Sequence, residues 1–141
     1  METTTLQGNI IWLLMRASMA SKQSIMKLAD THDLSMMQAL TLCLLEPGHT
    51  IPMSRMSGLL VCDPSNITGI VDRLTQGKLI ERRESSTDRR VKTIGLTDFG
   101  STVREEFMIE LNAADAATAS NLSATDIKSL KKLLSKMVPM L

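Results

Sequence analysis

The stretch from Asp63 to Gly100, DPSNITGIVDRLTQGKLIERRESSTDRRVKTIGLTDFG, limits the possible folds of this chain more than any other. Asp63 is a residue type that accepts bonds from the free N–H groups of a helix start, and Pro64 stands where a helix tolerates proline. Ile67, Ile70, Val71 and Leu74 then recur at i, i+3, i+4 and i+7, one apolar stripe along a helix. The other face carries Ser65, Asn66, Thr68, Gly69, Asp72, Arg73 and Gln76, all small or hydrogen-bonding. Gly77 is predicted to end this helix. Leu79–Arg83 and Val91–Leu96 are short and apolar enough to pair as strands. The loop between them, ESSTDRR, is polar and tipped by Arg89 and Arg90. A helix face of this kind suits base edges and phosphates in a major groove about 12 Å wide. With a basic-tipped ribbon after it, the expectation is a winged helix-turn-helix.

The residues upstream supply the rest of that unit. Ser35 and Gln38 have capping-box spacing, so a helix is predicted from Leu34 through Leu44, stopped by Glu46-Pro47-Gly48. Ile51-Pro52 is expected to add one strand rung to the hairpin. Met53–Leu60 reads as a short helix with Met56, Leu59 and Leu60 inward, and Val61, Cys62 and Asp63 form the turn into the polar-faced helix.

Long helices flank this unit. Leu6–Ala29 has no proline and carries its one glycine, Gly8, near the start. Leu6, Ile10, Leu13, Leu14, Ala17, Ile25, Leu28 and Ala29 form its apolar side. After Leu96, Thr97 is a good N-cap, and Val103, Phe107, Leu111, Ala114 and Ala117 mark one face of a long acidic helix. Ser123 and Asp126 open a last helix, with Leu122 and Ile127 at the positions of a hydrophobic staple. In it Ile127, Leu130, Leu133, Leu134, Met137 and Val138 face one way and Lys128, Lys131, Lys132 and Lys136 the other. The predicted class is mainly α with a small β-hairpin (α+β). One protomer spans 1–141, with a winged lobe at 34–96 and dimerisation helices at 1–33 and 97–141.

Charge is segregated. The net charge is only +1, yet Arg73–Lys92 holds seven basic residues against three acidic ones. Asp98–Asp115 holds five acidic residues against one arginine. A local basic patch is the footprint expected of a duplex-DNA binder. Aromatic residues make up 2% of the chain, too few for the stacking platforms of a single-strand or RNA reader. Cys43 and Cys62 fit neither a disulfide framework nor zinc-finger spacing, and their apolar neighbourhoods predict buried free thiols in a reducing cytoplasm. Neither has an evident cationic neighbour in the sequence to activate it for redox sensing. The apolar run Ile10–Met15 is too short for a signal peptide or a membrane span. No nucleotide loop, nucleophile elbow or metal-ligand spacing is present, so neither an enzyme, a cofactor nor a metal is expected.

Ile70-Val-Asp-Arg-Leu74, Leu79-Ile-Glu-Arg82, Asp88-Arg-Arg90 and Leu96-Thr97 with Gly100 together resemble the MarR family of transcriptional regulators, and the flanking helices extend the likeness over nearly the whole chain. The resemblance implies a homodimeric winged-helix protein that binds palindromic promoter DNA, usually as a repressor released by a small ligand or an oxidant. By it, Ser65, Asn66, Thr68 and Gly69 enter the major groove, Arg73 holds a phosphate, Arg90 with Arg89 reaches into the minor groove, and Asp88 braces the wing. Two departures stand out. Lys78 occupies the place where the family usually has glycine, with Gly77 one earlier, so the helix-to-strand turn is expected to shift by one residue. Gly69 stands where family members often carry a longer side chain. The chain has eleven methionines, adaptable linings for apolar or aromatic effectors. The resemblance puts the effector cavity between the dimer helices and the reader, where Trp12, Met15, Met19, His32, Met36, Met37 and Leu40 are the candidate lining residues. A winged-helix protein-docking module without DNA binding is the alternative; Arg73, Arg89 and Arg90 argue against it.

Overall fold

The computed structural model describes residues 6–138. A 3₁₀ turn at Leu6–Gly8 leads into α1 (Ile10–Thr31), followed by α2 (Met36–Leu44), β1 (Thr50–Pro52), α3 (Met53–Leu60), α4 (Pro64–Gln76), β2 (Ile80–Glu84), β3 (Lys92–Leu96), α5 (Asp98–Thr118) and α6 (Ala124–Met137). The first helix starts four residues later than its apolar pattern suggests, because Asn9 caps it: the Asn9 Oδ1 accepts the Ile11 N–H at 2.9 Å. The hairpin strands are likewise each displaced by one residue from the expected Leu79 and Val91 starts.

The sheet order is β1-β3-β2, all antiparallel, with Ile80 opposite Leu96 and Ile51 opposite Ile94. Pro52 is tolerated in β1 because that strand is an edge. The core is the seam where the reader meets the flanking helices. Ala29 of α1, Leu42 and Leu45 of the α2 region, Met56 of α3, Ile67, Val71 and Leu74 of α4, Ile80 and Ile94 of the sheet, and Phe107 of α5 are all buried in it. At about 25 cal/mol per Å² of apolar surface, these side chains supply most of the drive to fold.

Capping follows the local sequence in most places. Ser35 with Gln38, and Ser123 with Asp126, form complete capping boxes. The bonds from Ser123 hold the Asp126 carboxyl below the ordinary aspartate range. Thr97 caps α5 through the Gly100 N–H at 2.9 Å. Asp63 is the exception: it occupies the N-cap of α4, but its side chain makes no capping bond. Its main-chain carbonyl instead accepts the Asn66 N–H.

Three helices end in the same way. The Leu34 N–H reaches the Ala29 carbonyl, the Cys62 N–H reaches Ser57 and the Leu79 N–H reaches Leu74, each beside a bond from the preceding residue to the carbonyl three positions before it. This is the Schellman pattern, which needs a left-handed residue and usually takes glycine. Here Asp33 (φ 56°), Val61 (φ 52°) and Lys78 (φ 58°) fill the position. The turn after α4 is therefore not shifted: Gly77 stays right-handed and Lys78 itself adopts the left-handed conformation.

The flanking helices keep large apolar faces open. Ile25, Leu28 and Ala29 tie the C-terminal part of α1 to the core. Toward its N-terminus Ile10, Ile11, Leu13 and Met19 are exposed. No residue of α6 is buried, and Leu130, Leu133, Leu134 and Met137 are all exposed. Ala117 on α5 is exposed too, so the packed face of that helix is centred on Phe107, with Val103, Leu111 and Ala114 half-buried. Among the described residues, no helix is long and apolar enough to cross a membrane.

Candidate nucleic-acid interface

Burial of Ile67, Val71 and Leu74 fixes the rotation of α4 about its axis. The helix period then forces Ser65, Asn66, Thr68, Gly69 and Arg73 outward, and all five are exposed. A Cβ added at Gly69 would meet nothing within 4 Å, so this glycine leaves an open notch in the middle of the polar face.

The joint at the end of α4 is tied to the start of α5 by hydrogen bonds from Thr97. The Thr97 hydroxyl donates to the Lys78 carbonyl at 2.6 Å, and the Thr97 N–H donates to the Leu79 carbonyl at 3.1 Å. One threonine thus caps α5 and clamps the turn between α4 and β2. On the other side Asp72 of α4 pairs with Arg82 of β2, which fixes the ribbon relative to the helix.

The basic residues divide into two sets. Arg82, Arg83 and Lys92 are engaged by Asp72, Glu81 and Glu84. Arg73, Lys78, Arg89 and Arg90 have no acidic partner among the described residues. Asp72 and Glu81, the acidic residues nearest Arg73 in sequence, are paired with Arg82 and Arg83 instead. At the ribbon tip the Asp88 carboxylate accepts the Arg90 N–H at 2.9 Å, while its carbonyl accepts the Val91 N–H at 3.0 Å. Asp88 therefore shapes the turn that holds Arg89 and Arg90 in solvent.

Within the single chain, the suggested effector residues border more than one pocket. Met36 and Met37 line a groove of about 720 Å³ with Lys22, Cys62 and Ile70, whose far wall is Ser65, Asn66, Gly69 and Arg73. His32 lines a separate cavity of about 240 Å³ at the ends of α1 and α4. Its ring stands edge-on to Phe107, with the Nε2 3.4 Å from the Glu110 Oε1. Trp12, Met15, Met19 and Leu40 lie outside both. Met15 and Met19 are exposed on α1, whereas Trp12 and Leu40 are half-buried.

Both thiols are half-buried rather than buried. Burial nonetheless pushes the Cys43 thiol up, offset in part by Arg104. That arginine, distant in sequence, reaches from α5 to the Cys43 carbonyl at 3.4 Å. Nothing local to Cys43 announces it. Val61 is a second residue that the sequence pattern passes over. It stands 83% exposed on the rim of a groove that Asn66 also lines.

Residues 34–92 match the model of the MarR family. The chain is 32% identical over 113 residues to the HTH-type transcriptional regulator MgrA of Staphylococcus aureus, covering 79% of this chain and 75% of the relative. Its fold is similar to that of CouR from Rhodococcus jostii RHA1 bound to p-coumaroyl-CoA, with a TM-score of 0.89, 23% identity and 99% of each chain covered. It is also similar to a mutant MarR from E. coli complexed with operator DNA, with a TM-score of 0.79, 22% identity, and 90% of this chain and 91% of that one covered. The reader helix, the ribbon and the flanking helices thus have a common explanation, and the chain belongs to the MarR family of winged-helix transcriptional regulators.

Proposed function

We propose that this regulator is a homodimer that binds a palindromic operator in duplex DNA and represses transcription until a small molecule releases it. The observation that carries the reading is the outer face of α4. Its Ser65, Asn66 and Thr68 side chains are exposed, and Arg73 on the same face has no acidic partner among the described residues. Ser65, Asn66 and Thr68 lie near the helix start, where base edges are reached. Arg73 is long and charged and lies further along, which suits a phosphate. Arg89 and Arg90 on the ribbon suit a narrow minor groove, whose negative potential favours arginine. Asp88 keeps their turn in shape.

In this proposal 34–96 is the DNA-binding lobe, while 1–33 and 97–141 supply the dimer helices. Of these, residues 1–5 and 139–141 lie outside the described region. The exposed apolar stripes of α1 and α6 are what a second protomer would cover. The effector site is the groove of about 720 Å³ under Met36 and Met37. Its size is that of an ordinary ligand pocket, and a molecule there would touch the reading face itself. CouR bound to p-coumaroyl-CoA and E. coli MarR complexed with operator DNA provide precedents for both kinds of partner in this fold. The protein acts in the cytoplasm as a regulator and not as an enzyme.

A mobility-shift titration with the duplex upstream of the protein's own coding region tests the reading. Saturable binding that resists excess random duplex is expected. Equal binding to both duplexes, or none to either, would remove the assignment and leave a protein-docking module.

A further inference from the structure

The turn between α3 and α4 carries a valine at the left-handed position where its closing pattern usually takes glycine. Val61 has φ 52° and ψ 50°, the left-handed region. A branched Cβ makes that region costly, and valine is a genuine outlier there. Asp33 and Lys78, the other non-glycine residues with positive φ among the described residues, are both unbranched at Cβ. Val61 is also more exposed than any other large apolar residue described, at 83%. A glycine would relieve the backbone and remove the exposed methyls while keeping both closing bonds, Val61 N–H to Gly58 and Cys62 N–H to Ser57. The backbone strain therefore works against valine at this position, and a side chain so exposed gains almost no burial to offset it.

Its surroundings suggest what the side chain is for. Val61 lies on the wall shared by two grooves. One is formed with Ser57, Gly58 and Asp63, the other with Ser65, Gly69 and Arg73, and Asn66 lines both. Val61 and Asn66 thus border the same two grooves, and Asn66 carries a carboxamide able to read a base. An Asn side chain pairs with the N6 and N7 of adenine, while an apolar group recognises the C5 methyl of thymine. A strained residue at a binding surface is the usual sign that function holds it there.

We infer that Val61 is a specificity-determining residue that packs against a thymine methyl in the major groove, beside the base addressed by Asn66. The inference rests on the DNA reading proposed above for α4.

The test uses the full chain and its upstream duplex, with thymines replaced one at a time by deoxyuridine, which removes only the methyl. Wild type should lose roughly fourfold in affinity at one thymine in each half-site, the worth of about one buried methyl. Val61→Gly should bind the unmodified duplex about as weakly as wild type binds the uracil duplex, and it should not respond to that uracil. Its Tm should meanwhile rise by about 4 °C as the strain is released. Opposite signs in stability and binding distinguish recognition from a purely structural role. Operator binding by Val61→Gly as tight as wild type, or a uracil penalty that survives in the variant, would overturn the inference while leaving the α4 reading intact. If wild type binds no duplex specifically, the α4 reading falls and this inference falls with it.

Discussion

Gly100 lies against the Leu79 carbonyl so closely that a Cβ on it would stand 1.8 Å from the oxygen. The neighbour is main chain, held in turn by Thr97 at 3.1 Å, so it has no flexible end to swing aside. Through this contact the start of α5 and the end of α4 become one body. The start of α5 is thereby coupled directly to the turn that follows α4.

Gly100→Ala should destabilise the fold by about 3 kcal/mol, at the upper end of overpacking effects. Gly69→Ala, made in open space on α4, should instead stabilise it by about 1 kcal/mol through helix propensity. Urea titrations of the two variants provide the check. Equal midpoints would mean that the α4–α5 joint is looser than described.

The exposed stripes of α1 and α6 predict an obligate dimer. Leu133 is 56% exposed and Ile11 is 76% exposed in the single chain, costs that a second copy would remove. The interface should exceed about 1,000 Å², the range of stable dimers. Sedimentation at micromolar concentration should give twice the chain mass, and Leu133→Asp should shift the protein toward monomer. A well-folded wild-type monomer under those conditions would rule the dimer out.

The ribbon tip makes a separate prediction. Arg89→Ala and Arg90→Ala should each cost about 1–3 kcal/mol of operator binding without changing the unfolding midpoint. Preference for the sequence under the wing should relax as well. If both variants bind like wild type, the arginines are merely solvated and the wing does not touch DNA.

Much of this architecture was legible in the sequence because its punctuation is local. The Ser35–Gln38 capping box, the Pro47-Gly48 break and Pro64 at the first turn of α4 each act within a few residues, and the elements begin and end beside them. The polar face of α4 was legible for the same reason, since burial of its apolar stripe dictates what faces out. The errors lie where tertiary structure decides. Asp63 has the right chemistry for a cap but finds its N–H groups served by the main chain. Lys78 takes a glycine's conformation because Leu79 must bury against the core just beyond it. Arg104 reaches Cys43 across 61 residues, beyond any local pattern.

The division of labour on α4 is the central claim, and salt dependence of operator binding tests it most directly. Arg73 is proposed to neutralise a phosphate, whereas Asn66 and Thr68 read bases. Isotherms at several salt concentrations, on operator and random duplex, should show Arg73→Ala weakening both alike. That substitution should also lower the magnitude of the salt slope by about one unit. Asn66→Ala and Thr68→Ala should weaken the operator more than random DNA and leave the slope unchanged. An intact slope in Arg73→Ala, with Asn66→Ala and Thr68→Ala equally weak on both duplexes, would contradict the orientation of the helix described here.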